Sequence, residues 1–258
     1  MNRDVRLLLS QVRYDQRAFW RNRTAAFFTF LLPVMFLVIF ALLNGNRLVP
    51  FGGAQVPFLT LFVPGILAFG IVGTTFSNLA ISIAGLRQTG VLKRVQGTPL
   101  PRWVYLGGLI GSAVLTTLEF SLLVLVLGRI AYGVQPRLAT APALVLMIVL
   151  GTAAMSALGL AISSIIPNGD AAPAVTNAIV LPLSFFSGVW FPTDEAPKAL
   201  RLIAATFPLQ PLAHGLQHAF LPSAAAPGLT LFDTGRLAVW VAVGVLAALR
   251  WFRWTQRG

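Results

Sequence analysis

Residues 58–84 read Phe-Leu-Thr-Leu-Phe-Val-Pro-Gly-Ile-Leu-Ala-Phe-Gly-Ile-Val-Gly-Thr-Thr-Phe-Ser-Asn-Leu-Ala-Ile-Ser-Ile-Ala without one charged side chain. A helix crosses the hydrocarbon core of a bilayer with about 20 apolar residues, so this stretch is a membrane span with residues to spare. Working outward, residues 24–44, 103–127, 139–166 and 171–191 repeat the pattern, each ended by charge, Pro or Gly. A sixth span, 235–252, is shorter in its unbroken part, Leu237 to Leu249, and relies on snorkelling Arg236 and Arg250 and on interfacial Trp251 and Trp254. The first run exceeds a signal-peptide core and lacks a cleavage site, so it stays in the mature chain. The expectation is an all-α membrane protein of six transmembrane helices.

Composition agrees. Of 258 residues, 57% are hydrophobic and 10% charged, with a mean hydropathy of +0.80, which excludes an ordinary soluble enzyme and a disordered chain. The absence of Cys removes disulfides, thiolate metal sites and cysteine nucleophiles. Basic residues outnumber acidic ones by 19 to 7. In an apolar chain this reads as membrane orientation and not as nucleic-acid binding. Thirteen of the nineteen lie in the head (residues 1–23), the loop 85–102 and the tail, and six lie on the alternate side. The positive-inside rule then places both termini in the cytoplasm, with 85–102 cytoplasmic and 192–234 extracellular.

Before the first span, Val5, Leu8, Leu9, Val12, Phe19 and Trp20 recur at helical spacing, with Arg6, Ser10, Arg13 and Arg17 on the other face. This predicts an interfacial amphipathic helix that serves either as a lipid anchor or as a docking surface for a cytoplasmic partner. The loop 85–102 mixes Leu86, Val91, Leu92 and Val95 with basic residues and stops at Pro99 and Pro101, which predicts a short helix closed by a turn.

The order Arg87, Gly90, Leu92, Lys93, Arg94, Thr98, Pro99, Leu100 resembles the loop between spans two and three of ABC type-2 exporter permeases, particularly the daunorubicin-exporter-like members. Gln88 stands where such members commonly carry an acidic residue. The resemblance runs nearly the whole chain. It implies that this loop and the head, with Arg6, Arg13, Arg17 and Trp20, meet a separate ATP-binding subunit. It also implies two such subunits per complex, a second permease copy or homologue, ATP and Mg on the partner alone, and a bacterial inner-membrane location. The segment with Phe191-Pro192, Ala196-Pro197, Leu200, Ile203, Ala204 and Phe207 matches a place where similar permeases carry re-entrant helices; an extracellular surface loop is the alternative. By the same resemblance spans two and five approach the dimer axis, which makes Phe69, Phe76, Asn78, Asn177, Phe185 and Phe186 pathway candidates.

No G-x-x-x-x-G-K-[ST] occurs, so an ATPase must be another polypeptide. Neither H-E-x-x-H nor G-x-S-x-G occurs, which removes the commonest intramembrane chemistries. Glu119 is the one carboxylate well inside a span, where charge is expensive. It either binds a cation or proton on the path, or bonds to a polar neighbour in the bundle, or sits nearer the outer interface. Its presence supports an alternative reading, an ion-gradient-driven transporter or channel, and a non-transporting scaffold is a third. His214 and His218 are four apart but lack a third ligand nearby, so no metal is expected. Gly107 and Gly111 form G-x-x-x-G, whose use is close helix approach. Pro33, Pro64 and Pro182 are expected to kink spans one, two and five.

Overall fold

The computed structural model describes residues 3–45, 47–51, 53–190, 206–221 and 228–254. Helix α1 (Arg3–Arg21) has Asp4 in its first turn and Arg21 in its last, both favourable to the helix dipole. Asn22 breaks the chain and caps α2 (Arg23–Asn44), its side-chain oxygen accepting from the Ala25 N–H at 3.1 Å. A hairpin of β1 (Leu48–Phe51) and β2 (Ala54–Pro57) follows, antiparallel with Val49 opposite Val56. The chain is therefore not wholly helical: two Val-Pro strands around Gly53, at φ +82°, close a tight turn that the all-α reading omitted.

The stretch that decided the fold is one helical rod, α3 (Phe58–Val72), a π turn (Gly73–Ser77) and α4 (Asn78–Gln88). It is buried almost all round, as an apolar helix in the centre of a bundle must be. After α5 (Val91–Gln96), α6 (Arg102–Tyr132) and α7 (Ala141–Ser163) pack on it. Side chains replace glycine hydrogens where these helices close up: the Phe120 ring occupies the place a Cβ on Gly70 would take, and a Cβ on Gly159 would lie 2.7 Å from the Phe76 carbonyl oxygen. The remaining α-helices among the described residues are α8 (Ala172–Phe186), α9 (Leu209–Phe220) and α10 (Leu231–Trp251).

Among the described residues five helices are long and apolar enough to cross a membrane: Arg23–Asn44, Phe58–Gln88, Arg102–Tyr132, Leu138–Ser163 and Leu231–Trp251. Two expectations exchange places. The stretch 235–252 falls within a full helix of 21 residues that begins at Leu231, in which Arg236 lies over the Phe232 ring at 4.1 Å and Asp233, in the first turn, is paired with His214. The stretch 171–191 yields only 15 helical residues. Past Phe186, Gly188 turns at φ +77° and Trp190 folds back, its indole N–H donating to Ser184 Oγ at 2.9 Å while its ring meets Phe36 and Phe69. Buried Gln217 on α9 fixes that turn, donating to the carbonyls of Gly188 at 2.9 Å and Leu61 at 3.2 Å.

The bundle has two ends. The hairpin, the turn at Gly133 and α9 make one; α5, residues 164–171 and residues 252–254 make the other, the loop end. Helix α9 packs on α3 and α7 through Leu212, Leu216 and Phe220, so this part of the outer segment is not a free loop. The expected amphipathic residues Phe191, Leu200, Ile203 and Ala204 lie outside the described residues.

Candidate functional site

At the loop end, Arg87 closes α4 and is buried. Its Nη1 donates to the Ser163 carbonyl at 2.6 Å and its Nε to the Arg253 carbonyl at 3.1 Å, so one guanidinium ties the end of α7 to the chain after α10. Gln88 beside it donates to Asp170 Oδ2 at 3.1 Å and accepts from the Gly169 N–H. An amide does both; a carboxylate in its place would repel Asp170. Gly90, at φ +70°, then lets the chain reverse into α5.

Leu92 of α5 is fully buried among Leu79, Ile83, Tyr105 and Leu109, with Phe252 and Trp254 packed on the same cluster. This anchor leaves Lys93, Arg94, Thr98 and Pro99 exposed. Arg94 reaches back to the Thr89 carbonyl at 3.4 Å, and the Thr98 hydroxyl donates to the Val95 carbonyl at 2.7 Å to close the turn before Pro99. Trp254, read from the sequence as an interfacial anchor, instead lies 6.5 Å from the Tyr105 ring and receives Arg102 at 5.5 Å. No periodicity signals such a contact between the start of α6 and the chain after α10.

The head is placed differently from its apolar pattern. Helix α1 turns a mixed stripe of Leu8, Gln11, Val12, Asp15, Gln16 and Phe19 toward α6 and leaves Val5, Leu9 and Trp20 exposed, along with Arg6, Arg13 and Arg17. The reason is the surface of α6. A Cβ on Gly107 would lie 2.9 Å from Leu8 and one on Gly111 2.6 Å from Val12, so the G-x-x-x-G is a groove for α1. Beyond it, Gln16 Nε2 donates to both Glu119 oxygens at 2.9 Å, and its Oε1 accepts from Ser112 at 2.9 Å and Thr116 at 3.2 Å. Glu119 thus lies level with the head, before α2 begins, and bonds to a polar neighbour. Asp15 is held by Gln11 Nε2 at 3.0 Å; burial pushes its carboxyl up to about 6, although that hydrogen bond pulls it down.

The pathway candidates do not converge. Phe69 packs on Trp190, its ring 5.2 Å away, and Asn78 accepts from Ser82 at 3.3 Å and donates to the Thr74 carbonyl at 3.4 Å. Asn177, Phe185 and Phe186 face outward on α8. Phe76 alone among them lines an apolar cleft of about 320 Å³ between α7, α8 and α10, with Met155, Ile179, Leu183, Trp240 and Trp251. The sequence missed this cleft because its walls come from five separate helices, α3, α7, α8, α9 and α10, and the π turn. The π turn beneath it carries buried Thr74, whose hydroxyl lies 2.7 Å from that of Thr117 on α6.

At the other end His214 Nδ1 lies 2.6 Å from Asp233 Oδ2, and the two histidine rings are 4.7 Å apart. Burial, then His214, lowers the affinity of His218 for a proton, with Asp233 acting the other way. The pair joins α9 to α10, and among the described residues no group of three acidic, histidine or cysteine side chains could hold a metal.

A family model for the ABC-2 type transporter matches residues 7–221, which is α1 through α9. The inner membrane transport permease YadH of Escherichia coli K12 is 23% identical over 209 residues, covering 80% of this chain and 78% of that protein. The protein of the same name from Shigella flexneri gives the same 23% identity over the same shares. The chain belongs to the ABC-2 type transporter family. Membership identifies it as a transmembrane, permease type of subunit and implies an ATP-binding partner.

Proposed function

We propose that, within this family, the chain is the permease of an ATP-driven exporter that moves a hydrophobic or amphipathic compound, such as a drug, lipid or glycolipid, out of a bacterial cell. ATP and Mg are bound and hydrolysed on two separate ATP-binding subunits, and the membrane unit is completed by a second permease copy or homologue. The α8 helix completes a six-span topology, and both termini and α5 face the cytoplasm of an inner membrane. The resemblance to an inner membrane permease and the basic residues gathered at the loop end support that placement.

The observation that carries the proposal is α5. A helix bolted to the bundle by Leu92, yet presenting Lys93 and Arg94 outward, is built to receive a push and pass it on. Closure of the nucleotide-binding partners presses on α5. Arg87 and Gln88 spread that displacement to α4, α7 and residues 169–170, and the Gln16 network carries it along the head to α6. Glu119 serves this seam, so the geometry gives no separate support to an ion-gradient mechanism. The cleft at Phe76 is where an apolar cargo finds room.

The test is purification of the tagged chain with its ATP-binding subunit, with ATP hydrolysis measured with and without the permease. Co-purification with altered hydrolysis is expected. Lys93→Glu with Arg94→Glu should abolish the alteration and transport while leaving membrane insertion intact; survival of both activities would overturn the coupling assignment.

A further inference from the structure

Arg13, Arg17 and Arg21 recur at i, i+4 and i+8 on α1 and are exposed. Among the described residues the one ion pair joins His214 to Asp233, so no carboxylate reaches this row. Like charges at that spacing destabilise a helix. The helix dipole compensates Arg21 in the last turn but does not extend to Arg13 and Arg17. Among the described residues the row therefore has no ion-pair partner.

An open cleft of about 1050 Å³ lies beside it, lined by Leu9, Val12, Arg13, Arg17, Trp20 and Leu115. Trp20 also lines a second cleft, of about 460 Å³, between α2 and α6, whose wall is apolar beyond Arg23 at its start: Phe27, Leu31, Val34, Leu123 and Leu127. The Trp20 indole is fixed at this junction by stacking on Phe30, ring centres 5.2 Å apart. From Ala26 to Val34 the seam runs about 12 Å along the helix axis. One end of this continuous surface is cationic and forked, the other is hydrocarbon.

We propose that this groove binds an anionic phospholipid, its phosphate held between Arg13, Arg17 and Arg21 and one acyl chain lying on the α2–α6 seam past Trp20. Guanidinium groups fork onto phosphate oxygens, and the seam removes the chain from no more favourable place than bilayer, so selectivity resides in the headgroup. This goes beyond a general attraction of a basic helix for an anionic surface because it fixes one lipid at one tryptophan. It rests on the reading that these helices stand in a bilayer, and it needs neither the ATP-binding subunit nor the direction of transport.

The experiment uses the full chain in phosphatidylcholine vesicles, with Trp20 quenched by phosphatidylglycerol or phosphatidylcholine carrying the same brominated chains. The chain has six tryptophans, so the Trp20 share is taken as the difference from Trp20→Phe. Brominated phosphatidylglycerol should quench that share at a mole fraction on the order of tenfold lower than brominated phosphatidylcholine. Arg13→Gln, Arg17→Gln and Arg21→Gln together should remove the preference, and the matching triple Lys variant should keep most of it, which separates lost charge from lost folding. Equal quenching by the two lipids would overturn the proposal, as would a preference that survives the Gln triple. Loss of the preference to an equal concentration of soluble glycerol phosphate would show that an anion suffices without its chain, and would overturn it too. Failure of ATPase coupling in a separate assay would leave this result untouched.

Discussion

Two seams in this molecule are built on opposite principles. Between α1 and α6, three glycines bring the backbones close and Gln16 makes directional bonds to Ser112, Thr116 and Glu119. Around α8, contacts with α4, the π turn and α9 are joined by an apolar cleft against α7 and α10. Hydrogen bonds have one correct register, whereas apolar contact is non-directional and roughly proportional to area. The first seam therefore moves as a unit, and the second accommodates sliding. On the proposed function, transmitting a displacement would fall to the first seam and making room for a cargo to the second.

The largest effect should come from filling the first seam. Gly108→Leu drives a side chain into Gln11, and with it α1 off α6, at a cost of about 1–3 kcal/mol or more. A fall in detergent melting temperature checks this, and a single Cys at Leu8, clean in a chain without Cys, should become accessible. Leu183→Phe in the cleft should leave the melting temperature unchanged; equal damage from both would erase the distinction. Next, Arg87→Ala leaves the Ser163 and Arg253 carbonyls without their donor and should cost about 2 kcal/mol, with Arg87→Lys only partly restoring it because an ammonium lacks the fork. Gln16→Ala strands the Glu119 carboxylate for about 1–3 kcal/mol, whereas Glu119→Gln keeps an acceptor for Gln16 and should cost less than about 1 kcal/mol. Transport that fails in Glu119→Gln while stability holds would return weight to the ion-gradient reading.

The smallest effect is a pH dependence. Asp15 titrates at about 6 in place, above its ordinary value of 3.8, so its seat against α6 favours the neutral acid. That contribution is complete below about pH 4, declines as pH rises, and is gone above about 6. Asp15→Asn should flatten the melting-temperature profile across this window. An unchanged profile would mean that the carboxyl is not desolvated at the seam.

The long apolar runs were legible because one physical demand, length without charge, fixes them. Where that rule failed it failed informatively. Arg236 reads as the edge of the last span although the helix begins at Leu231 and the guanidinium lies over the Phe232 ring, 4.1 Å from its centre, and Ala171 to Phe191 reads as continuous although Ser187 and Gly188 turn the chain back. The basic loop was legible as a short helix through Leu92 and Gly90. The partners of Arg87 were not, because Ser163 and Arg253 offer backbone carbonyls, which no side-chain pattern marks. Similarly, hydropathy ranks Gln16 as solvent-facing and so hides the residue that bonds Glu119. Asn177, Phe185 and Phe186 are exposed on α8 in the single chain, an orientation that position on a span does not specify, because helix phase alone, with no neighbours known, does not say which side of α8 faces the bundle.

The π turn at Gly73–Ser77 has a consequence for comparing relatives. A wide turn holds one residue more than the α-helical path it replaces, so deleting a single residue there would restore a regular helix while leaving the helix after it in nearly the same phase. The contacts of Thr74 and Phe76 would change, whereas Arg87 and Leu92 would keep facing α7 and the loop-end cluster. A one-residue gap between positions 73 and 77 in a related chain thus marks an equally phased span without the wide turn, and closing that gap by eye would align the wrong faces of two proteins from that turn onward.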